Sequence, residues 1–212
     1  MLKHTSTASR ARRDLTPVDA EDSARARERL ADLVQPFDGR VYCHVPMDQA
    51  FSYAALARPD DGRDRWGVPG TRTVYLAGDP AVALSEYARH RDARAPADSR
   101  CLCSLRLQAR RVLDLRDRAV TRLLGLPPGA GHFLDRHVAR RMSQMVRDLG
   151  VCQGLIVPSM AFLDHPERFN VVLFVEWLGV DLATLLTDRE DVGEIRLTAS
   201  RPNRASGTIR SS

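Results

Sequence analysis

Apolar residues along the chain follow two rhythms, a two-residue alternation and a three-and-four spacing. Residues 39–46 alternate, with Val41, Cys43 and Val45 on one side and Tyr42 and His44 on the other. Residues 71–77 read as a strand centred on Val74, Tyr75 and Leu76. Residues 101–115 carry Leu102, Leu105, Leu107, Val112, Leu113 and Leu115 and predict one or two strands. Runs at 154–157 and 169–177 read as buried strands, and a strand recurs at 193–198. Helical spacing appears at 80–90, through Ala81, Leu84, Tyr87 and Ala88. It appears again at 133–149, through Leu134, Val138, Met142, Met145, Val146 and Leu149. Shorter helices are predicted near 50–57 and 119–126, and a charged one over 17–34 anchored by Leu30, Leu33 and Val34.

The breaks agree with these elements. Gly78 ends the 71–77 strand, and Asp79-Pro80 supplies an N-cap followed by proline at the first helical position. Pro127-Pro128-Gly129 stops one helix and Gly150 another. The expected fold is α+β, a central mixed β-sheet core with flanking helices and frayed ends. The expected organisation is a disordered basic tail over 1–17, a helical extension over 18–38, one domain over 39–199, and a disordered tail over 200–212.

Composition narrows the class. Of 212 residues 43% are hydrophobic, enough for a real core, and the net charge is +5. Lys3 is the only lysine, so arginine carries nearly all the positive charge. Some of it sits in the tails, at Arg10, Arg12, Arg13, Arg201, Arg204 and Arg210, with no nucleic-acid recognition motif beside it. Cys43 and Cys152 stand alone, and Cys101 and Cys103 share a strand face. Without a CxxC pair no structural zinc site is expected, and reduced thiols in a cytoplasmic protein are. His132 and His137 are five apart, the wrong pitch for a shared metal, so no metal site is expected. Residues 1–13 lack the apolar core of a signal peptide, and no run approaches a membrane span.

The chemistry concentrates in residues 62–90. Arg65 lies in a loop of turn formers, Tyr75 comes next on the strand, and Glu86 sits on the helix after it. A guanidinium grips a diphosphate with two prongs. A tyrosine offers a flat face with a polar tip. A lone carboxylate can bond sugar hydroxyls and steady a developing positive charge. The three together suit a nucleotide that carries a positively charged leaving group. Plainer readings stand beside these: Glu86 as a solvated surface residue, and Trp66 as a core plug rather than a stacking ring; Arg63 is an alternative to Arg65. Asn170 either binds a ligand or caps a turn. Asp164-His165 near Ser159 invites a hydrolase triad, but Pro158 offers no glycine elbow for a nucleophile.

The loop RWGVPGT with VYLAGDPAVALSE resembles the Arg/Tyr/Glu block of the RES-domain family. LIVPS resembles its Ser block, and Asn170-Val171-Val172-Leu173 resembles the strand that comes after that block. The resemblance covers residues 39–177. It implies a fold similar to diphtheria-type ADP-ribosyltransferases and a toxin of a bacterial toxin–antitoxin pair, with an Xre-like antitoxin as partner. It implies cleavage of NAD at the nicotinamide–ribose bond, with water, phosphate or a protein side chain as acceptor and no cofactor beyond NAD itself. Carried over by motif, Arg65, Tyr75, Glu86 and Ser159 are the site residues. Family members commonly carry an arginine on the first strand near Cys43 or His44; here none follows Arg40, which leaves the phosphate grip to Arg65. The expectation is therefore a cytoplasmic NAD glycohydrolase or phosphorylase. The alternatives are a mono-ADP-ribosyltransferase using the same site and a non-catalytic basic binding module.

Overall fold

A computed structural model describes residues 20–47, 51–60, 62, 64–90, 99–197 and 207–210. In chain order the elements are α1 (Ala20–Ala31), β1 (Gln35–Pro46), α2 (Tyr53–Leu56), β2 (Arg58–Pro59), β3 (Arg72–Ala77) and α3 (Pro80–His90). They continue with β4 (Arg100–Asp114), α4 (Arg118–Leu123), α5 (Arg136–Leu149), β5 (Gly154–Pro158), β6 (Phe169–Phe174), α6 (Leu182–Leu185), β7 (Leu186–Leu197) and β8 (Gly207–Arg210). This is the expected α+β fold, with one mixed sheet at its centre.

The sheet curls on itself. Its strand order is β1-β3-β6-β5-β4-β7-β8, and β1 also pairs with β4, so β1, β3, β6, β5 and β4 close a ring. The long β4 makes this possible. Its length lies against β1 on one side, while on the other it pairs first with β7 and then, through Val112 to Asp114, with β5 in parallel. The remaining pairings are antiparallel.

The two sheet faces carry separate cores. Val41, Cys43, Val45, Val74, Leu76, Leu105, Val171 and Leu173 belong to one, closed by Leu182 and Leu185 of α6. Val157, Val172, Phe174 and Leu155 belong to the other, beneath Ala139, Met142 and Val146 of α5. On that second face α3 lays Val82, Ala83 and Tyr87 over Ala77 and Leu102. The alternation read in residues 39–46 holds: Val41, Cys43 and Val45 are buried, and Tyr42 packs on the α3 side.

Several boundaries differ from expectation. The helical extension is not a separate module, because Leu30 of α1 is buried in the α5 core and β1 already begins at Gln35. Of the one or two strands expected over 101–115, one forms, β4 at Arg100–Asp114; Arg106, Gln108 and Arg110 alternate outward along it without a turn former to break it. The 133–149 helix is two pieces, a 3-10 turn at Gly131–Leu134 and α5, because the Asp135 carboxylate caps α5 by accepting from the His137 amide at 2.8 Å. Helix α6 and the first half of β7 were not anticipated. Gly207–Arg210, expected to be disordered, pairs with the edge of β7. The basic tail over 1–17 lies outside the described residues. No described helix is long and apolar enough to cross a membrane.

Candidate active site

The candidate residues gather on the second face of the sheet, toward α3 and α5. The first component of the site is the loop before β3, held down along its length by α5. Arg140 donates through Nε to the Asp64 carbonyl at 2.9 Å and through Nη2 to the Gly62 carbonyl. Ser143 Oγ donates to the Trp66 carbonyl at 2.6 Å. Trp66 itself is 3% exposed and packs its ring against Phe133, 4.9 Å between centroids. It is the core plug that fixes the loop, which decides the open question about this residue.

That anchoring aims Arg65. Its Nη1 donates to the carbonyls of Phe133 and Leu134, at 2.5 and 2.9 Å. Nε and Nη2 engage no protein acceptor among the described residues, so a half-buried guanidinium keeps donors for a ligand. Burial pulls its pKa below the usual arginine value, and the nearby Arg136 and Arg89 act in the same direction. Glu86 and Asp135 oppose this. Arg65 and Glu86, twenty-one residues apart in the chain, therefore sit in one electrostatic neighbourhood. Arg63 lies outside the described residues.

The other components come from the strands. Tyr75 pairs with Val172, and Asn170 with both Ala77 and Val157, so Tyr75 and Asn170 share the second face as diagonal neighbours. Asn170 Nδ2 donates to Glu86 Oε1 at 3.5 Å, tying the centre of the sheet to the middle of α3. Helix α3 is set in register by Asp79, whose Oδ1 accepts from the Val82 amide at 3.0 Å. Glu86 is half-buried in this position, not a freely solvated side chain.

Tyr75 and Ser159 are more enclosed than the sequence suggested. The Tyr75 hydroxyl is buried beneath the Arg65 loop with no hydrogen-bond partner among the described residues. Burial pushes its pKa far up, and Asp64 and Asp60 add to the shift. Tyr75 as a whole is half-buried, so what it leaves accessible is ring rather than hydroxyl. Ser159 is fully buried just past β5; its amide donates to the Arg168 carbonyl at 3.1 Å and its Oγ accepts from the Ala161 amide at 3.4 Å. It shapes the turn beside Asn170. His165 pairs with exposed Glu167 at 3.0 Å, not with Ser159, so no triad forms. His44 is also accounted for: Nδ1 accepts from Arg100 Nε at 2.8 Å and the ring leans on Tyr87. Arg40 on β1 is taken up by Glu190 and Ser104.

Two residues were missed. Arg89 stands three places after Glu86 on α3, one turn on, which the helical spacing could have shown. Arg136 opens α5 and comes to Arg65 only through tertiary packing, which no local pattern carries. A surface recess of about 460 Å³ lies elsewhere, lined by Asp38, Gly39, Arg40, Arg106 and Asp188, and contains none of these residues.

The arrangement offers Arg65 with two further cations, Arg89 and Arg136, in its field, one carboxylate positioned by an amide, and the Tyr75 ring on the same sheet face as that amide. That set can bind a dianionic phosphate linkage and place a carboxylate against a neighbouring sugar.

The RES domain family profile matches residues 13–184. A solved structure, the M. tuberculosis MbcT–MbcA toxin–antitoxin complex, contains a chain similar to this one in fold, with a TM-score of 0.58 at 17% identity over 78% of this chain and 91% of that one. No curated protein matches.

Proposed function

Because the chain belongs to the RES domain family, we propose that it is an enzyme that cleaves NAD at the nicotinamide–ribose bond, by hydrolysis or phosphorolysis. The observation that carries the reading is the meeting of Arg65 and Glu86: a guanidinium with donors to spare, and a carboxylate within its field held by Asn170.

In this reading Arg65 takes the diphosphate, with Arg89 and Arg136 adding positive potential. The Tyr75 ring flanks the nicotinamide. As the glycosidic bond breaks, the ribose gains oxocarbenium character, as in glycoside hydrolysis. Glu86, ionised, accepts a hydrogen bond from a ribose hydroxyl and stabilises that charge. A charge-assisted bond contributes about 1.5–3 kcal/mol in ordinary surroundings, and more where water is excluded. Nicotinamide leaves neutral, so no general acid is required and one carboxylate suffices. Asn170 and Ser159 hold the sheet end of the pocket in shape. The biological setting we propose is a cytoplasmic toxin restrained by an Xre-like antitoxin.

The test is to incubate the purified protein with NAD, with and without phosphate, and separate the products. Release of nicotinamide by the wild type and not by Glu86→Gln supports the reading, and the phosphate dependence names the acceptor. If nicotinamide appears only when cell lysate is added and a protein gains the mass of ADP-ribose, the site is a transferase. No release under any of these conditions overturns the proposal.

A further inference from the structure

The opposite face of the sheet holds a second cluster, independent of the NAD reading. Cys43 on β1 is the register partner of Cys103 on β4, and Cys103 is in turn the register partner of Asp191 on β7. Cys101, two residues before Cys103, points to the same face. Three strands therefore lay three thiols and a carboxylate side by side.

The geometry is close to what one ion needs. The Sγ atoms of Cys101 and Cys103 and a carboxylate oxygen of Asp191 all lie within 4.8 Å of one another. Cys103 Sγ is 3.4 Å from Asp191 Oδ1, and the Cys103 thiol also interacts with that of Cys43. Thiolates bound tetrahedrally at about 2.3 Å from zinc stand about 3.8 Å apart, so small side-chain rotations close Cys101, Cys103 and Asp191 around an ion. Cys43 lies outside that closest group and reaches the set through its contact with Cys103, as the fourth ligand. Cys43 and Cys103 are buried, Cys101 is half-buried and Asp191 is exposed, which leaves a path from solvent.

A local irregularity places the carboxylate. Cys101 faces Glu194 and Leu102 faces Gly193, but Cys103 faces Asp191, so the register slips by one between them. With regular pairing Val192 would stand beside Cys103. The bulge exchanges an apolar neighbour for an oxygen ligand, a common way for a sheet to re-aim a side chain at a site. Arg189 completes the surroundings. Its Nη2 donates to Asp191 Oδ1 at 2.5 Å, and its guanidinium lies 4.4 Å from the Phe51 ring centre. Three thiolates and a carboxylate carry four negative charges against the ion's two, and Arg189 offsets part of that excess.

We propose that Cys43, Cys101, Cys103 and Asp191 form a binding site for a thiophilic divalent cation of the zinc class. Sulfur-rich tetrahedral sets select such ions over magnesium or calcium. Each thiol that binds releases its proton to solvent, and the ion ties β1, β4 and β7 together.

The test uses the full chain, reduced, stripped of metal, and then given one equivalent of zinc chloride before desalting. Wild type should retain one zinc per chain by elemental analysis and melt at a higher temperature for it. Cobalt chloride should give tetrahedral ligand-field bands with a thiolate charge-transfer band. Cys101→Ser and Asp191→Asn, chosen because neither side chain is fully buried, should bind zinc at least roughly ten- to hundredfold more weakly, the loss typical of removing even an outer-shell partner. Both should keep the melting temperature of the metal-free wild type. Wild type that retains no zinc overturns the site. So do variants that bind as well as wild type, or a cobalt spectrum without thiolate character, which would mark an adventitious ion.

Discussion

Asn170 and Glu86 meet across the boundary between the sheet and α3, amide to carboxylate at 3.5 Å. The bond is long, so it orients Glu86 more than it stabilises the fold. Asn170 is nonetheless fixed on both sides, by Ala77 of β3 and Val157 of β5, and hands that rigidity to a carboxylate on a neighbouring helix. If Glu86 works by stabilising charge, its orientation sets the rate.

Asn170→Ala should therefore lower kcat for NAD cleavage by roughly tenfold while leaving KM near wild type, the pattern of an interaction that matters in the transition state. Asn170→Asp tests the same contact electrostatically. A second carboxylate beside Glu86 disfavours its ionised form and raises its pKa. Activity that requires ionised Glu86 should then lose its acid limb at higher pH than in wild type. Steady-state pH profiles of the two variants check this, and profiles superimposable on wild type would remove Asn170 from the site.

Asp38 gives a pH prediction that concerns stability alone. Its oxygens accept from Arg106 Nε and Nη2, at 2.8 and 2.9 Å, and from Gln108 Nε2 at 3.1 Å. Arg106 first, then Gln108, hold the carboxyl well below its ordinary 3.8, at about 2. A folded-state value below the unfolded one adds stability that is fully present above about pH 4 and lost as pH falls toward about 2. Asp38→Asn should flatten that acid-side fall in denaturation curves. The pair is exposed, so high salt should shrink the difference. An unchanged acid limb would show that the pair is silent.

The local part of the site was legible and the assembled part was not. The strand, cap and helix from Arg72 to His90 come from alternation, the Asp79 cap and helical spacing within one short stretch, so Tyr75 and Glu86 were placed correctly on their elements. The state of Trp66 was undecidable, because Ser143 and Phe133, far along the chain, bury it. Arg136 was invisible for the same reason. The thiol cluster shows the limit most clearly: a search for CxxC finds nothing, because the register of β1, β4 and β7 brings Cys43 and Asp191 to Cys101 and Cys103. Gly207–Arg210 read as tail because four residues among Ser, Arg and Gly carry no pattern, and the edge of β7 supplies the reason for a strand.

Gly154 of β5 leaves no room for a side chain against β6. A Cβ at this position would stand 2.4 Å from the Val172 carbonyl oxygen, a backbone atom that cannot swing aside. Gly154→Ala should destabilise the fold by about 1–3 kcal/mol or more, as overpacked interiors do. Because β6 carries Asn170, NAD cleavage should fall beyond what the unfolded fraction explains. Urea denaturation with parallel activity measurements checks both; a midpoint equal to wild type would mean that the strands part without cost.

Arg65 divides its donors between structure and substrate, and that division can be measured. Nη1 holds the carbonyls of Phe133 and Leu134, while Nε and Nη2 face no protein acceptor among the described residues. Arg65→Lys keeps a positive charge but loses the fork. Losing a charge-assisted bond worth about 1.5–3 kcal/mol should raise KM for NAD roughly ten- to hundredfold. Its effect on kcat should be smaller, since the diphosphate does not change charge during the reaction. Arg89→Ala and Arg136→Ala, which act through the field alone, should cost less and should weaken the salt dependence of kcat/KM. If Arg65→Lys instead lowers kcat and leaves KM unchanged, Arg65 acts on the breaking bond rather than on the diphosphate. The substrate would then have to lie the other way round, with the nicotinamide toward the α5 end of the opening.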